Sequence, residues 1–237
     1  MTLLGFDTAT ETCSAALWAD GAVIAHRRGA AGGRHAETLV PMLRETAAEG
    51  GTTLAEVERF AVTVGPGSFT GIRIGLAAAR GLALAGKRPL IGLTTLEVLA
   101  AGVPEGQREG AVLAALDAGR GCLYAQLFDR SLHPLSEPEA LEAEVLPEFV
   151  RAAVTGGPVV VAGTGQEIAL GLLTPGLEAR PAAGPSTPDA GVLVRCAAAR
   201  AETGGGDEMA TPVRPLYLRG AGARPKAPVI GGSGLRG

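Results

Sequence analysis

Aromatic residues are scarce in this chain of 237 residues: one Trp, two Tyr and five Phe make up 3% of it. So thin a supply argues against a stacking surface for single-stranded nucleic acid. A surplus of one charge is missing too. Twenty-one basic residues against 24 acidic ones leave a formal net charge of −3, so no overall positive field gathers a polyanion. Cys13, Cys122 and Cys196 lie too far apart for a metal or redox pair, and three is an odd number for a disulfide framework. They are expected as small apolar side chains in a reducing compartment. His26, His35 and His133 are scattered, none spaced to bring two imidazoles to one metal from one helix.

Whole motifs are absent as well. No Gly-Lys-Ser/Thr phosphate loop and no GxSxG elbow occurs, and Ser68 and Thr70 have no His partner nearby in the sequence. No segment reaches the roughly 18 apolar residues of a membrane span. Met1 runs straight into TLLGFDTAT, with no basic stretch before a long apolar run, so the expectation is a cytoplasmic protein without a membrane partner.

What the chain does have is glycine (36 residues), proline (16) and 46% hydrophobic residues, enough for one large domain or two lobes with real cores. Strands are expected at Leu3–Phe6, Cys13–Ala19 and Ala22–Arg28, the last two joined by the hairpin dipeptide Asp20-Gly21. A helix follows over Arg34–Glu49, with Pro41 expected to kink it or delay its start. Then come a short helix at Leu54–Glu58, a strand at Phe60–Val64, a long helix from Ser68 to Ala85 and a strand at Pro89–Leu93. After the loop Gly102–Gly110 the pattern partly repeats. Strands at Ala111–Leu116 and Cys122–Phe128 flank the turn Ala118–Gly121, with a weaker third at Ser131–Ser136. A helix between Glu139 and Val154, a strand at Pro158–Ala162 and helices at Gln166–Leu173 and Asp189–Glu202 complete it. Both halves open strand–Asp–turn, which points to a duplicated α/β fold with a mixed sheet in each lobe. The lobes are expected at 1–101 and 102–218, the last helix and PLYLR packing back on the first, with a mobile Gly/Pro/Arg-rich tail at 219–237.

The chain is organised around VGPGSFTGIRIGLAAARGLALA, Val64–Ala85. Gly65-Pro66-Gly67 breaks the strand and Ser68 suits the N-cap. Arg73 and Arg80 fall within about 20° of each other on the wheel. One arc carries Ile72, Leu76, Ala79 and Ala83, the other Ile74, Ala77, Ala78 and Ala85. A surface helix normally shows one apolar stripe, so this one needs covering on two sides. The row Gly71, Gly75, Ala79 would let another backbone come close.

Chemistry-bearing residues sit at strand ends. Asp7-Thr8-Ala9-Thr10 and Asp117-Ala118-Gly119 occupy matching places in the two halves, and Gly163-Thr164-Gly165 stands between a strand and a helix. Such turns can face phosphate or hydrated magnesium across a cleft. An active small-molecule kinase or ATPase using Asp7 and Asp117 is therefore one reading. Nothing pairs a nucleophile with a base.

Taken together, GPGSFTGIRIG with its helix, DTAT after the first strand, DAGRGCLYAQLF opening the second half and PLYLR near the end closely resemble the bacterial TsaB (YeaZ) family, in order across residues 1–218. The resemblance implies a two-lobed actin-like, sugar-kinase-like (ASKHA) fold. It implies a non-catalytic subunit pairing with TsaD to make threonylcarbamoyladenosine at position 37 of tRNAs that read codons beginning with A. In TsaD a similar helix precedes a His-x-x-x-His metal pair; here Thr95 and Leu99 stand in those places, so neither metal nor an older peptidase label finds ligands. The partner face is expected on the first-lobe helices, at His35, Leu39, Met42, Gly71, Arg73, Gly75, Leu76, Ala79 and Arg80. Asp7, Thr8, Thr10, Asp117, Gly163 and Gly165 would line a degenerate nucleotide cleft. No cofactor is expected to bind this chain tightly, since ATP and metal belong to TsaD and TsaE. TsaE and tRNA are reached through the complex, and the chain alone is expected to form a homodimer.

Overall fold

A computed structural model describes residues 1–29, 32, 34–203 and 212–218. The first half holds β1 (Leu3–Asp7), β2 (Ser14–Ala19), β3 (Ala22–Arg28), α1 (His35–Glu49), β4 (Arg59–Thr63), α2 (Phe69–Gly86), β5 (Leu90–Leu93) and α3 (Thr95–Ala101). The second holds β6 (Ala111–Gly119), β7 (Cys122–Phe128), β8 (Glu139–Glu142), α4 (Leu146–Ala153), β9 (Val159–Ala162), α5 (Gln166–Leu173), β10 (Ala179–Pro181) and α6 (Ala190–Glu202).

Each half folds one five-stranded sheet, in the orders β3-β2-β1-β4-β5 and β8-β7-β6-β9-β10. In both, the first strand pairs antiparallel with the second and parallel with the fourth. The duplicated mixed-sheet fold is therefore strand-for-strand. Asp20 and Gly21 both take positive φ, as a two-residue hairpin of this chemistry requires.

Alternation along β1 divides its side chains between two cores. Leu4 and Phe6 join Leu39 and Leu43 of α1 and Ile72 and Leu76 of α2. Leu3 faces the other way and packs on Leu193, Val194 and Ala197 of α6. The second sheet buries one face under α4 and α5, while Leu96, Leu99 and Ala100 of α3 cover Val112, Ala114 and Leu116 on the other. The helices closing each half thus cross over: α3 covers the second sheet and α6 the first.

Several expectations shift. The third strand of the second half is Glu139–Glu142, which pairs with β7 over four residues; Ser131–Ser136 holds only an isolated bridge to its end, Phe128 to Pro134. Leu54–Glu58 is a turn closed by the Glu56 carboxylate, which accepts from the backbone N–H and hydroxyl of Thr53, both at 2.9 Å. Pro41 lies inside α1, which starts at His35. The proline is exposed, so water can solvate the carbonyl that its missing N–H leaves free. Helix α3 and strand β10 were not anticipated. The expected tail, 219–237, lies outside the described residues.

Ser68 caps α2 as expected, its Oγ accepting the Gly71 N–H at 3.2 Å. The glycines of this helix divide by side. A Cβ at Gly75 would sit 2.4 Å from Thr8 Oγ1, and one at Gly71 2.0 Å from Thr8 O. A Cβ at Gly81 would meet nothing within 4 Å. Gly75→Ala should therefore cost about 1–3 kcal/mol through overpacking. Gly81→Ala should gain up to about 1 kcal/mol of helix propensity. Urea unfolding midpoints of the two variants, moving in opposite directions, check the assignment.

Candidate functional site

The inward arc of α2 is fixed by the sheet beneath it. Gly71, Ile72, Gly75, Leu76, Ala79 and Ala83 are buried, and Thr8 Oγ1 donates to the Gly71 carbonyl at 2.8 Å. This corrects the expected partner face. Gly71, Gly75, Leu76 and Ala79 on α2, with Leu39 on α1, are core residues whose side chains another molecule cannot reach. The small row does admit a close backbone, but that backbone is the Thr8 turn of the same chain.

His35 is corrected as well. It is buried, and its Nε2 lies 2.8 Å from the Thr10 carbonyl, so it ties α1 to the strand-end turn. Met42 is half-buried, with its sulfur 4.0 Å from that of Cys13.

The two arginines are engaged by the C-terminal segment. Arg80 Nη2 donates to the Val213 carbonyl at 2.6 Å and Arg73 Nε donates to the Tyr217 hydroxyl at 3.1 Å. The Arg73 guanidinium also lies 3.7 Å above the Phe69 ring, a cation–π contact. Leu216 N–H donates to the Val64 carbonyl at 2.8 Å, which seats residues 212–218 as a strap along one flank of α2. Tyr217, Phe69 and Val213 were missed by sequence reasoning; the pairing of Arg73 and Arg80 on one flank was the signal that something had to lie beside them.

What remains open is the outer arc. Thr70, Ala77, Gly81, Leu84 and Ala85 are exposed and Ile74 and Ala78 half-buried; Leu84 is 81% exposed. Val40 is exposed on α1, which contacts α2. Of the two arcs in the sequence, one fills the core and the other faces outward, with its own small residues, Ala77 and Gly81, at the centre.

The cleft between the lobes has a volume of about 530 Å³, and its walls include Thr10, Glu11, Ser68, Asp117, Tyr124 and Thr164. Of the residues expected in a nucleotide cleft, Thr10 and Asp117 line this cavity. Asp7 and Thr8 do not: both are buried, Thr8 against α2 and Asp7 toward α6. Asp7 is paired with Ser14 across β1–β2, and Ser14 Oγ accepts the Ala190 N–H of α6 at 3.0 Å. Paired residues share a face, so Asp7 points at the helix and away from the cleft. Gly163 and Gly165 serve packing, since Cβ atoms there would strike the Ala115 carbonyl at 2.0 Å and the Leu123 side chain at 2.7 Å. Among the described residues lining the cleft none is Lys or Arg. Its described acidic residues are Glu11 and Asp117.

Thr95 and Leu99 are both buried on α3, and no group of three His, Cys, Asp or Glu residues comes together among the described residues.

Comparison with known proteins follows the same lines. A family model described as TsaD, tRNA N6-adenosine threonylcarbamoyltransferase, matches residues 29–143. The tRNA threonylcarbamoyladenosine biosynthesis protein TsaB of Escherichia coli (strain K12) is 40% identical over 167 residues, 70% of this chain and 72% of that protein. A solved structure from Pseudomonas aeruginosa, titled as an uncharacterized protein with similarity to peptidase YEAZ, superposes with a TM-score of 0.78 at 31% identity, covering 92% of this chain and 99% of that one. A ROK hexokinase from Thermus thermophilus shares the fold at 13% identity, with a TM-score of 0.52 over 85% of this chain and 100% of that one. The chain and these two solved structures thus share an actin-like, sugar-kinase-like architecture.

The buried Asp7 carries a measurable consequence. Desolvation pushes its carboxyl up to about 7, outweighing hydrogen bonds from Thr63 (2.5 Å) and the Ala9 N–H (3.1 Å), both to Oδ1; Oδ2 has no partner among the described residues. A carboxyl raised in the folded state binds its proton there after the unfolded chain has released it. Its contribution to stability is therefore full below pH 3.8 and is lost as pH rises to about 7. Asp7→Asn should flatten this slope: between pH 5 and 8 the parent chain loses stability and the variant holds it, as thermal unfolding across that range would record.

Proposed function

The chain belongs to the TsaB (YeaZ) family and has its role in the biosynthesis of tRNA threonylcarbamoyladenosine; within that role we propose that it is the non-catalytic subunit that pairs with TsaD. The observation that carries this reading is the uncovered outer arc of α2. Ala77, Gly81 and Leu84, with the half-buried Ile74 and Ala78, form an apolar face with no side chain long enough at its centre to hold a partner helix away. A second helix packed there buries more of Leu84 than any residue of this chain does, and apolar area is stabilising at about 25 cal/mol per Å² removed from water. A stable pairing of this kind covers roughly 1,200–2,000 Å² in total.

In this reading the modified nucleoside is adenosine 37 of tRNAs that read codons beginning with A, and tRNA and TsaE meet the chain only through the complex. ATP and metal belong to those partner subunits, and the assembly works in the cytoplasm. What supports this division of labour is the cleft, whose strand-end Asp7 is buried and whose described walls lack a cation. An ATPase or small-molecule kinase acting through Asp7 and Asp117 is disfavoured on the same ground. When TsaD is withheld, the same face pairs two copies of the chain.

Two measurements test the face. Ala77→Arg and Leu84→Asp, both at exposed positions, should leave the isolated chain folded, with an unchanged far-UV circular dichroism spectrum, and abolish co-purification with TsaD. Threonylcarbamoyladenosine formation in the reconstituted system should fall with it. If TsaD binds both variants as it binds the parent chain, the partner lies elsewhere. Sedimentation at high micromolar concentration should give a dimer for the parent chain and a monomer for Ala77→Arg.

A further inference from the structure

Aromatic side chains are few, yet both tyrosines and one of the five phenylalanines meet at one place. Phe69, Tyr124 and Tyr217, with Pro66 and Leu216, line a cavity of about 290 Å³ beside the interlobe cleft. Gly67 and Tyr124 belong to the walls of both, so the two spaces adjoin. Phe69 and Tyr217 remain 54% and 42% exposed there, their rings 5.2 Å apart at 39°. Apolar surface left in water on rings already held in place is a feature of binding sites, where stacking needs no further ordering.

The two ends of the joined space differ in charge. At the aromatic end the Arg73 guanidinium lies over Phe69 and holds the Tyr217 hydroxyl, which disfavours a cationic head group there. At the other end stand the carboxylates of Glu11 and Asp117 among the hydroxyls of Thr10, Thr12, Ser68 and Thr164. Asp117 accepts the Gly119 N–H through Oδ1 at 2.7 Å, and its Oδ2 has no partner among the described residues. Carboxylates repel phosphate but accept well from paired hydroxyl donors.

We propose that the joined cavities bind an uncharged nucleoside. The heterocycle stacks on the Tyr124, Tyr217 and Phe69 surface, and the vicinal ribose hydroxyls donate to the carboxylate end. The geometry selects against the phosphorylated forms of the same molecule, which separates this site from the nucleotide clefts of catalytic actin-like proteins. It rests on the isolated chain and does not depend on the subunit reading above.

The test is titration calorimetry, with saturation-transfer NMR, on the full chain using adenosine, cytidine, 2′,3′-dideoxyadenosine and ATP with magnesium. Adenosine and cytidine should bind saturably and dideoxyadenosine more weakly, and ATP with magnesium should not bind. Tyr217→Ala should weaken adenosine roughly tenfold, the scale of one lost stacking partner. Tyr217→Phe should retain it. Asp117→Asn changes an exposed side chain and gives a readout independent of folding; it should weaken adenosine as well. Absence of saturable nucleoside binding at millimolar concentration would overturn the proposal. So would tighter binding of ATP with magnesium than of adenosine, or unchanged affinity in both Tyr217→Ala and Asp117→Asn.

Discussion

The approach of α2 to the Thr8 turn decides the shape of the first lobe. Thr8 Oγ1 donates to the Gly71 carbonyl in a buried setting, and neither Gly71 nor Gly75 has room for a methyl group. Glycine inside a helix costs up to about 1 kcal/mol against alanine. Here that cost is offset by a helix lying almost on the backbone of the turn, which brings Ile72, Leu76 and Ala79 down onto Phe6, Phe60 and Val62. Once the helix is held in this rotation, its other side must face outward. Its open apolar arc is therefore a consequence of how tightly the inner arc is packed.

The same rotation explains the arginines. Arg73 and Arg80 border the open arc and reach sideways to the segment 212–218, through Tyr217 and the Val213 carbonyl. That strap and α6 both come from the second half of the sequence, yet they pack on the first sheet and on α2. In return α3 covers the second sheet. This exchange ties the halves together on one side of a cleft whose strand-end Asp7 faces α6. Both halves thus keep the frame of an actin-like protein, while Asp7 at the end of the first strand is buried.

A subunit of the threonylcarbamoyladenosine pathway fits this arrangement physically. The face proposed for TsaD is a helix surface of small and branched apolar residues, with charge confined to its flank. The proposed nucleoside site lies at the near end of the same helix, where Phe69 opens α2 and Tyr217 of the strap lies against it. Two surfaces of different chemistry can share one helix because its N-terminal turn borders the cleft and its C-terminal turns do not.

Much of the fold was legible in the residues. The strand–Asp–turn openings, the Asp20-Gly21 hairpin, the Ser68 cap and the two apolar arcs are local signals, written in spacing and turn chemistry, and they led to the duplicated mixed sheets. So was the family, through GPGSFTGIRIG. What stood outside local reach was direction. The wheel gives two apolar arcs on α2 but not which one meets the sheet, and the Gly71–Gly75–Ala79 row invites a close backbone without saying whose. Parity along β1 sends Leu3, Gly5 and Asp7 to one face and Leu4, Phe6 and Thr8 to the other, but only the crossing of α6 shows that Asp7 ends buried. Composition and periodicity determined the elements and the need for close contact. Which neighbour supplies each contact was decided by the tertiary structure, since it depends on residues brought together from distant parts of the chain.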